Sequence, residues 1–173
     1  MSLKQMKASC LLIISLLLTA CATTSPEKAA AIALVSKDPY ALYNLDEKFK
    51  SDKDVVLAAI RKDPHNLVYA SDSMKRNKEV VLAAVSKMGI LIVDIGNYNP
   101  LYNDPDVVLA AIRDDYPGAM SFASDELKND SEFVKRAVAV DPQVLCFVNK
   151  RFRADLTLMA QMDSYGPCLN FTQ

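Results

Sequence analysis

Asp54-Val-Val-Leu-Ala-Ala-Ile60, Glu79-Val-Val-Leu-Ala-Ala-Val85 and Asp106-Val-Val-Leu-Ala-Ala-Ile112 are near copies of one block, set 25 and then 27 residues apart. Glu132-Phe-Val-Lys-Arg-Ala-Val138 continues the series 26 residues on, and Thr157-Leu-Met-Ala-Gln-Met162 comes 25 residues later. One step back from Asp54 lands on Ala29, and Ala30-Ala-Ile-Ala-Leu-Val35 keeps the pattern. A chain that repeats at this period builds one small unit several times, which excludes most other architectures. Five repeats and a truncated sixth are expected.

Two further features hold the same register. Asp52, Asn77, Asp104, Asp130 and Asp155 each stand two residues before a block. Their side chains can accept hydrogen bonds from the free N–H groups of a first helical turn, so each block should open a helix. Pro105 at a first helical position gives up only an N–H that would have no partner anyway. Ten residues after each block start come Pro39, Pro64, Gly89, Pro142 and Pro167, with Pro117 displaced by one. Proline or glycine there ends the helix and permits a tight turn. A second helical segment, such as Asn66–Met74, then runs to the next cap.

Within the blocks, Val55, Val56, Ala59 and Ile60 share one helical face, and their equivalents recur in every repeat. A single hairpin cannot bury such a face, whereas stacked hairpins make one continuous core. The expected fold class is therefore all-α, a short α-solenoid of helix-turn-helix repeats of about 25 residues. Leu57/Ala58, Leu82/Ala83 and Leu109/Ala110 become Lys135 and Arg136 in the fifth repeat, as a face covered in mid-stack and wetted near its end would require. The third repeat carries a longer loop, Asn97-Tyr-Asn-Pro-Leu-Tyr102. Tyr98 and Tyr102 are the candidate partner contacts, a purely structural role being the alternative.

The phrases Val80-Val-Leu-Ala-Ala84, Tyr69-Ala-Ser-Asp72 and Ala123-Ser-Asp-Glu-Leu-Lys-Asn-Asp130 closely resemble the repeats of domain of unknown function 4116. The resemblance spans roughly residues 29–156. It implies a helical fold and brings no activity with it.

The amino terminus has a different character. Lys4 and Lys7 precede an apolar run, Leu11 to Leu18, and no charge falls between Lys7 and Glu27. About a dozen apolar residues span roughly 18 Å as a helix, short of the roughly 20 residues a bilayer core requires. The segment therefore reads as a signal peptide. Leu18-Thr19-Ala20-Cys21 at its end resembles the bacterial lipobox. That resemblance implies diacylglyceryl transfer to the Cys21 thiol, cleavage between Ala20 and Cys21, and acylation of the new amino group. Leu18, Thr19 and Ala20 would be the signal peptidase recognition residues, and two or more acyl chains anchor stably where one does not. An ordinary secretory signal with a chance cysteine is the competing reading. Ala22, in place of Asp, resembles the Gram-negative pattern for release to the outer membrane. The expected divisions are residues 1–20 as signal peptide, 21–28 as lipidated tether and 29–173 as the repeat domain.

Composition and chemistry narrow the functions. The net charge is −1, and loss of residues 1–20 removes Lys4 and Lys7 but no acid, leaving about −3. Nucleic acid, which needs a basic surface to replace its counterions, is not an expected partner. The one basic cluster, Lys150, Arg151 and Arg153, reads as a solvated helix end. His65 is the only histidine, and no spacing of His, Cys and carboxylates makes a metal set. The four glycines form no phosphate-cradling loop. Asp104, Asp106, Asp114 and Asp115 are explained as cap, first-turn and helix-end residues. No catalytic residues, cofactor or metal are expected.

Of four cysteines, Cys10 would leave with the signal and Cys21 carry lipid, so Cys146 and Cys168 remain. An even count in an oxidising compartment suggests a bridge. Repeat register puts Cys168 about one turn from the site equivalent to Cys146, and packed helices stand farther apart than a disulfide spans. A bridge and two buried thiols both stay open. The functional expectation is a membrane-anchored lipoprotein of the cell envelope, non-enzymatic, presenting its repeats to a protein or envelope component. The alternatives are a structural lipoprotein without a specific ligand and an envelope hydrolase.

Overall fold

The computed structural model describes residues 25–155, with Asn97 and Asp115 excepted. Every regular element among the described residues is helical, and the elements come as five successive repeats. Each repeat opens with a leading α-helix: Pro26–Lys37, Lys53–Lys62, Lys78–Val85, Pro105–Arg113 and Ser131–Val140. The expected caps are in place. Asp52, Asn77, Asp104 and Asp130 each accept from the N–H groups two and three residues on. Ser25 does the same work for the first helix, accepting from Lys28 N–H at 3.2 Å. With Pro26 at the first helical position, that helix starts three residues ahead of the expected domain boundary, and Glu27 and Lys28 belong to it. The sixth block lies outside the described residues.

The apolar faces behave as a stacked core requires. Val55, Val56, Ala59 and Ile60 are wholly buried, as are Val80, Val81, Ala84 and Val85. Val107, Val108, Ala111 and Ile112 repeat the arrangement, and so do Phe133, Val134, Ala137 and Val138. Each leading helix packs against the next, and the second elements stack beside them in a row of their own. Leu42, Leu67, Ile92, Met120 and Leu145, all fully buried, fill that second row. Lys135 and Arg136 are exposed where Leu109 and Ala110 are buried.

Beyond the leading helix, each repeat departs from the expected single segment. The stretch Asn66–Met74 is two pieces, a 3-10 helix Pro64–Tyr69 and a short α-helix Asp72–Lys75. Other repeats show the same division, as in Pro142–Phe147 with Lys150–Arg153 after it. The tighter 3-10 geometry does not propagate far, and extended backbone at Ala70 and Ser71 redirects the chain. The aspartates before the prolines start these turns. Asp38, Asp63 and Asp141 accept from the N–H groups of Tyr40, His65 and Gln143 at 2.8–3.0 Å. In the third repeat the equivalent residue is Met88, and Asp114 of the next repeat caps Gly89 N–H instead, at 2.7 Å.

Two polar seams tie neighbouring repeats. Lys28 reaches Asp52 and Asp54, Lys53 reaches Glu79, and Lys78 reaches Asp104 and Asp106, all at 2.7–2.9 Å. This ladder stops at Pro105, which stands where the next lysine would be. Along the third elements, Ser71 N–H donates to the Lys50 carbonyl at 3.0 Å and Ser124 N–H to that of Tyr102 at 3.2 Å. The Asn99 amide donates to the Lys75 carbonyl at 2.9 Å, and the Asn149 amide to Asn129 Oδ1 at 3.2 Å. Arg151 also donates to the Asn129 carbonyl, so the basic cluster forms a short exposed helix at this seam. Burial governs the stack: each fully buried Val, Leu or Ile contributes roughly 1.5–3 kcal/mol, while exposed ion pairs contribute little.

Candidate contact site at the third-repeat loop

The third repeat is two residues longer than the second, and the extra length emerges where its 3-10 helix Gly89–Ile95 ends. Gly96 comes next at φ +91°, a conformation open to glycine and costly for other residues. Tyr98 then adopts φ +57°, the left-handed region, and stands 99% exposed. Asn99 brings the chain back. Its buried amide donates to the carbonyls of Ile95 at 2.8 Å and Lys75 at 2.9 Å, and its Oδ1 accepts from Leu101 N–H at 3.0 Å. That cap opens the short 3-10 helix Pro100–Asn103, with proline at its first position.

Tyr102 lies on this helix, half-buried, with its hydroxyl donating to the Ile92 carbonyl at 3.1 Å. Burial, with Asp94 adding to it, pushes the phenol above its ordinary range. Its ring stacks on Phe122 of the fourth repeat, centroids 5.8 Å apart and planes inclined by 22°. Ser124 Oγ donates to Asn103 Oδ1 at 2.5 Å across the same junction. Tyr98, Pro100, Tyr102, Asn103, Phe122 and Ser124, with Asn99, enclose a surface cavity of about 640 Å³. The structure thus brings Tyr98 and Tyr102 to one cavity, and all of its lining residues are uncharged.

Phe122, Asn103 and Ser124 escape the sequence reading. Phe122 was findable: it stands two residues after the buried Met120, as Tyr69 does after Leu67 and Phe147 after Leu145. Aromatics at one register of a repeat stack share one surface; Tyr43, one position off that register, meets Tyr69 edge to face, 5.2 Å between centroids. Asn103 and Ser124 carried no such signal, since their pairing depends on how two repeats dock. Chemically, the cavity offers aromatic faces for stacking and an amide and a hydroxyl for hydrogen bonding.

The remaining candidate residues fall elsewhere. Asp104 is both cap and partner of Lys78, Asp106 pairs with the same lysine, and Asp114 holds Gly89. Asp115 lies outside the described residues. His65 Nδ1 lies 3.0 Å from Asp63 Oδ1 on the surface. No cluster of three His, Cys, Asp or Glu suited to a metal occurs among the described residues. Cys146 is half-buried against the core and disulfide-bonded. Leu18, Thr19, Ala20, Cys21 and Cys168 lie outside the described residues. No helix among the described residues is long and apolar enough to cross a membrane.

No curated protein and no solved structure matches the chain. A family model does, in three overlapping or successive stretches covering residues 31–75, 52–98 and 104–153, which track the structural repeats. The chain belongs to the family described as Domain of unknown function (DUF4116).

Proposed function

We propose that the protein is a bacterial lipoprotein, anchored through lipid on Cys21, whose repeat stack is a non-enzymatic interaction module for a protein or other envelope component. The cell envelope is its location, and in an organism with two membranes Ala22 favours the outer one. The lipobox at residues 18–21 supports the anchor.

One observation carries the interaction role. Tyr98 is a large aromatic side chain left wholly in water, on backbone that costs free energy to hold, beside an uncharged aromatic cavity. Packing does not explain it, whereas exposed aromatic anchors are common hot spots of binding surfaces. A cross-linker at the exposed Asn103, on the same cavity, in membranes from cells expressing the tethered chain, tests the reading. A specific adduct should form, and Tyr98→Ala or Phe122→Ala should weaken capture of the same partner by about tenfold or more, the worth of a modest hot spot. No adduct, or adducts indifferent to both substitutions, would move the protein to a structural role. Radiolabelled palmitate should enter the wild-type chain and not Cys21→Ser; equal labelling would remove the anchor.

A further inference from the structure

Among the described residues the stack has an open end. Ala30 and Leu34, on the helix Pro26–Lys37, occupy the block positions held by Val55 and Ala59, Val80 and Ala84, Val107 and Ala111 in the next three repeats. All six of those later residues are wholly buried. In the first repeat no described residue precedes the helix to cover the same face, and Leu34 is 48% exposed. Together with Leu45 and Phe49 of the same repeat, Ala30 and Leu34 line a shallow trough of about 380 Å³. The Glu27–Lys48 pair, 2.7 Å apart, stands at its rim. A terminal repeat normally carries a polar outer face, because nothing stacks on it. Here the middle of that face is alanine and leucine, with Glu27, Asp46 and Lys48 around them.

We infer that this end of the stack rests on the bilayer, with Leu34, Leu45 and Phe49 at the boundary of headgroups and acyl chains. The inference rests on the lipidation of Cys21 proposed above. Four residues, 22–25, lie between that cysteine and Pro26, so the helix start is within about 17 Å of the anchor even when the chain is fully extended. Ala30 comes one helical turn later and Leu34 a second. The apolar end is therefore the part of the domain that the anchor holds closest to lipid. Apolar side chains on an amphipathic surface insert to this depth without spanning the membrane.

Hydrogen exchange on the full, processed chain in phosphatidylethanolamine–phosphatidylglycerol vesicles tests this, with intact mass confirming lipid on Cys21. Relative to the Cys21→Ser chain made without residues 1–20 and free in solution, exchange within residues 26–37 should slow by about tenfold or more. Residues 105–113, three repeats away, should exchange alike in both. Leu34→Glu, at a half-exposed site that tolerates charge in the folded chain, should abolish the slowing while leaving the lipid mass and helical circular dichroism unchanged. A lipidated chain whose residues 26–37 exchange as in solution would overturn the inference and leave the lipoprotein reading intact. Slowing in the Cys21→Ser chain that grows with protein concentration would show that a second copy covers the face, and would also overturn it. A mass without lipid would sink both.

Discussion

Two residues of the third repeat, Gly89 and Tyr98, show backbone and function pulling in different directions. A Cβ on Gly89 would lie 2.2 Å from the Ala111 carbonyl oxygen, a backbone atom that cannot step aside without moving the fourth repeat. Gly89→Ala should therefore destabilise by about 1–3 kcal/mol, the range for forcing extra volume into a packed junction, as read by urea unfolding. Proline stands at the equivalent position of four other repeats, so glycine here reflects the closer approach of the third and fourth units. Tyr98 is the converse case. Its φ of +57° suits glycine, and its ring is almost wholly exposed. Tyr98→Gly should raise stability by about 0.5–1 kcal/mol, the relief of a left-handed non-glycine residue less glycine's greater unfolded entropy. It should also abolish partner capture. A thermal melt with a pull-down of the same variant separates the two; a variant that is less stable, or that still binds, contradicts the role assigned to the side chain.

Among the elements, the leading helices were legible in the sequence because each carries its own instructions. A cap, an acid in the first turn and an apolar face with helical spacing all lie within about twelve residues, so no distant contact decides them. The second half of each repeat was less legible. Ser71, Asn99, Ser124 and Asn149 act by reaching the preceding repeat, and their identities alone do not reveal that. The same is true of Asp114, whose helix-end position conceals its bond to Gly89. The lysine ladder depends on docking too, and it makes stability depend on pH. Hydrogen bonding to Asp106 and Asp104 raises the Lys78 ammonium, and Lys78 in turn holds the Asp106 carboxyl below its ordinary value. At Asp52, burial pushes the carboxyl up, but hydrogen bonds from Lys28 and Val55 N–H outweigh it and leave the group lowered. A carboxylate with a lowered folded pKa stabilises above its unfolded value, about 4, and that contribution is lost as pH falls through the folded one. The melting temperature should thus fall below about pH 4. Lys78→Met should lower it at neutral pH by a margin that closes in acid. A margin independent of pH would show that the lysine stem, not its charge, holds the repeats.

In the molecule as a whole, the main packing contacts among the described residues join neighbouring repeats, so stability is close to a sum of units and junctions. A perturbation at one end should fade within a repeat or two, unlike the all-or-none response of a domain with one central core. Cys146 provides the place to test this. It lies on the 3-10 helix Pro142–Phe147 of the fifth repeat and is disulfide-bonded. On the lipoprotein reading, Cys10 is removed and Cys21 carries lipid, which leaves Cys168 as its partner. The bridge would then close a loop over the last described helix and the sixth block, worth about 3 kcal/mol for a loop of this length. Export into an oxidising compartment is where such a bond persists. Reduction, or Cys168→Ser, should speed hydrogen exchange in residues 142–147, while residues 53–62 keep their protection. Peptide mapping without reductant should recover Cys146 and Cys168 in one cross-linked species. If exchange rises equally along the chain, the stack unfolds as one unit and the additive picture fails. If only the fifth repeat loosens, each junction holds independently of the distant ones, as the additive picture requires.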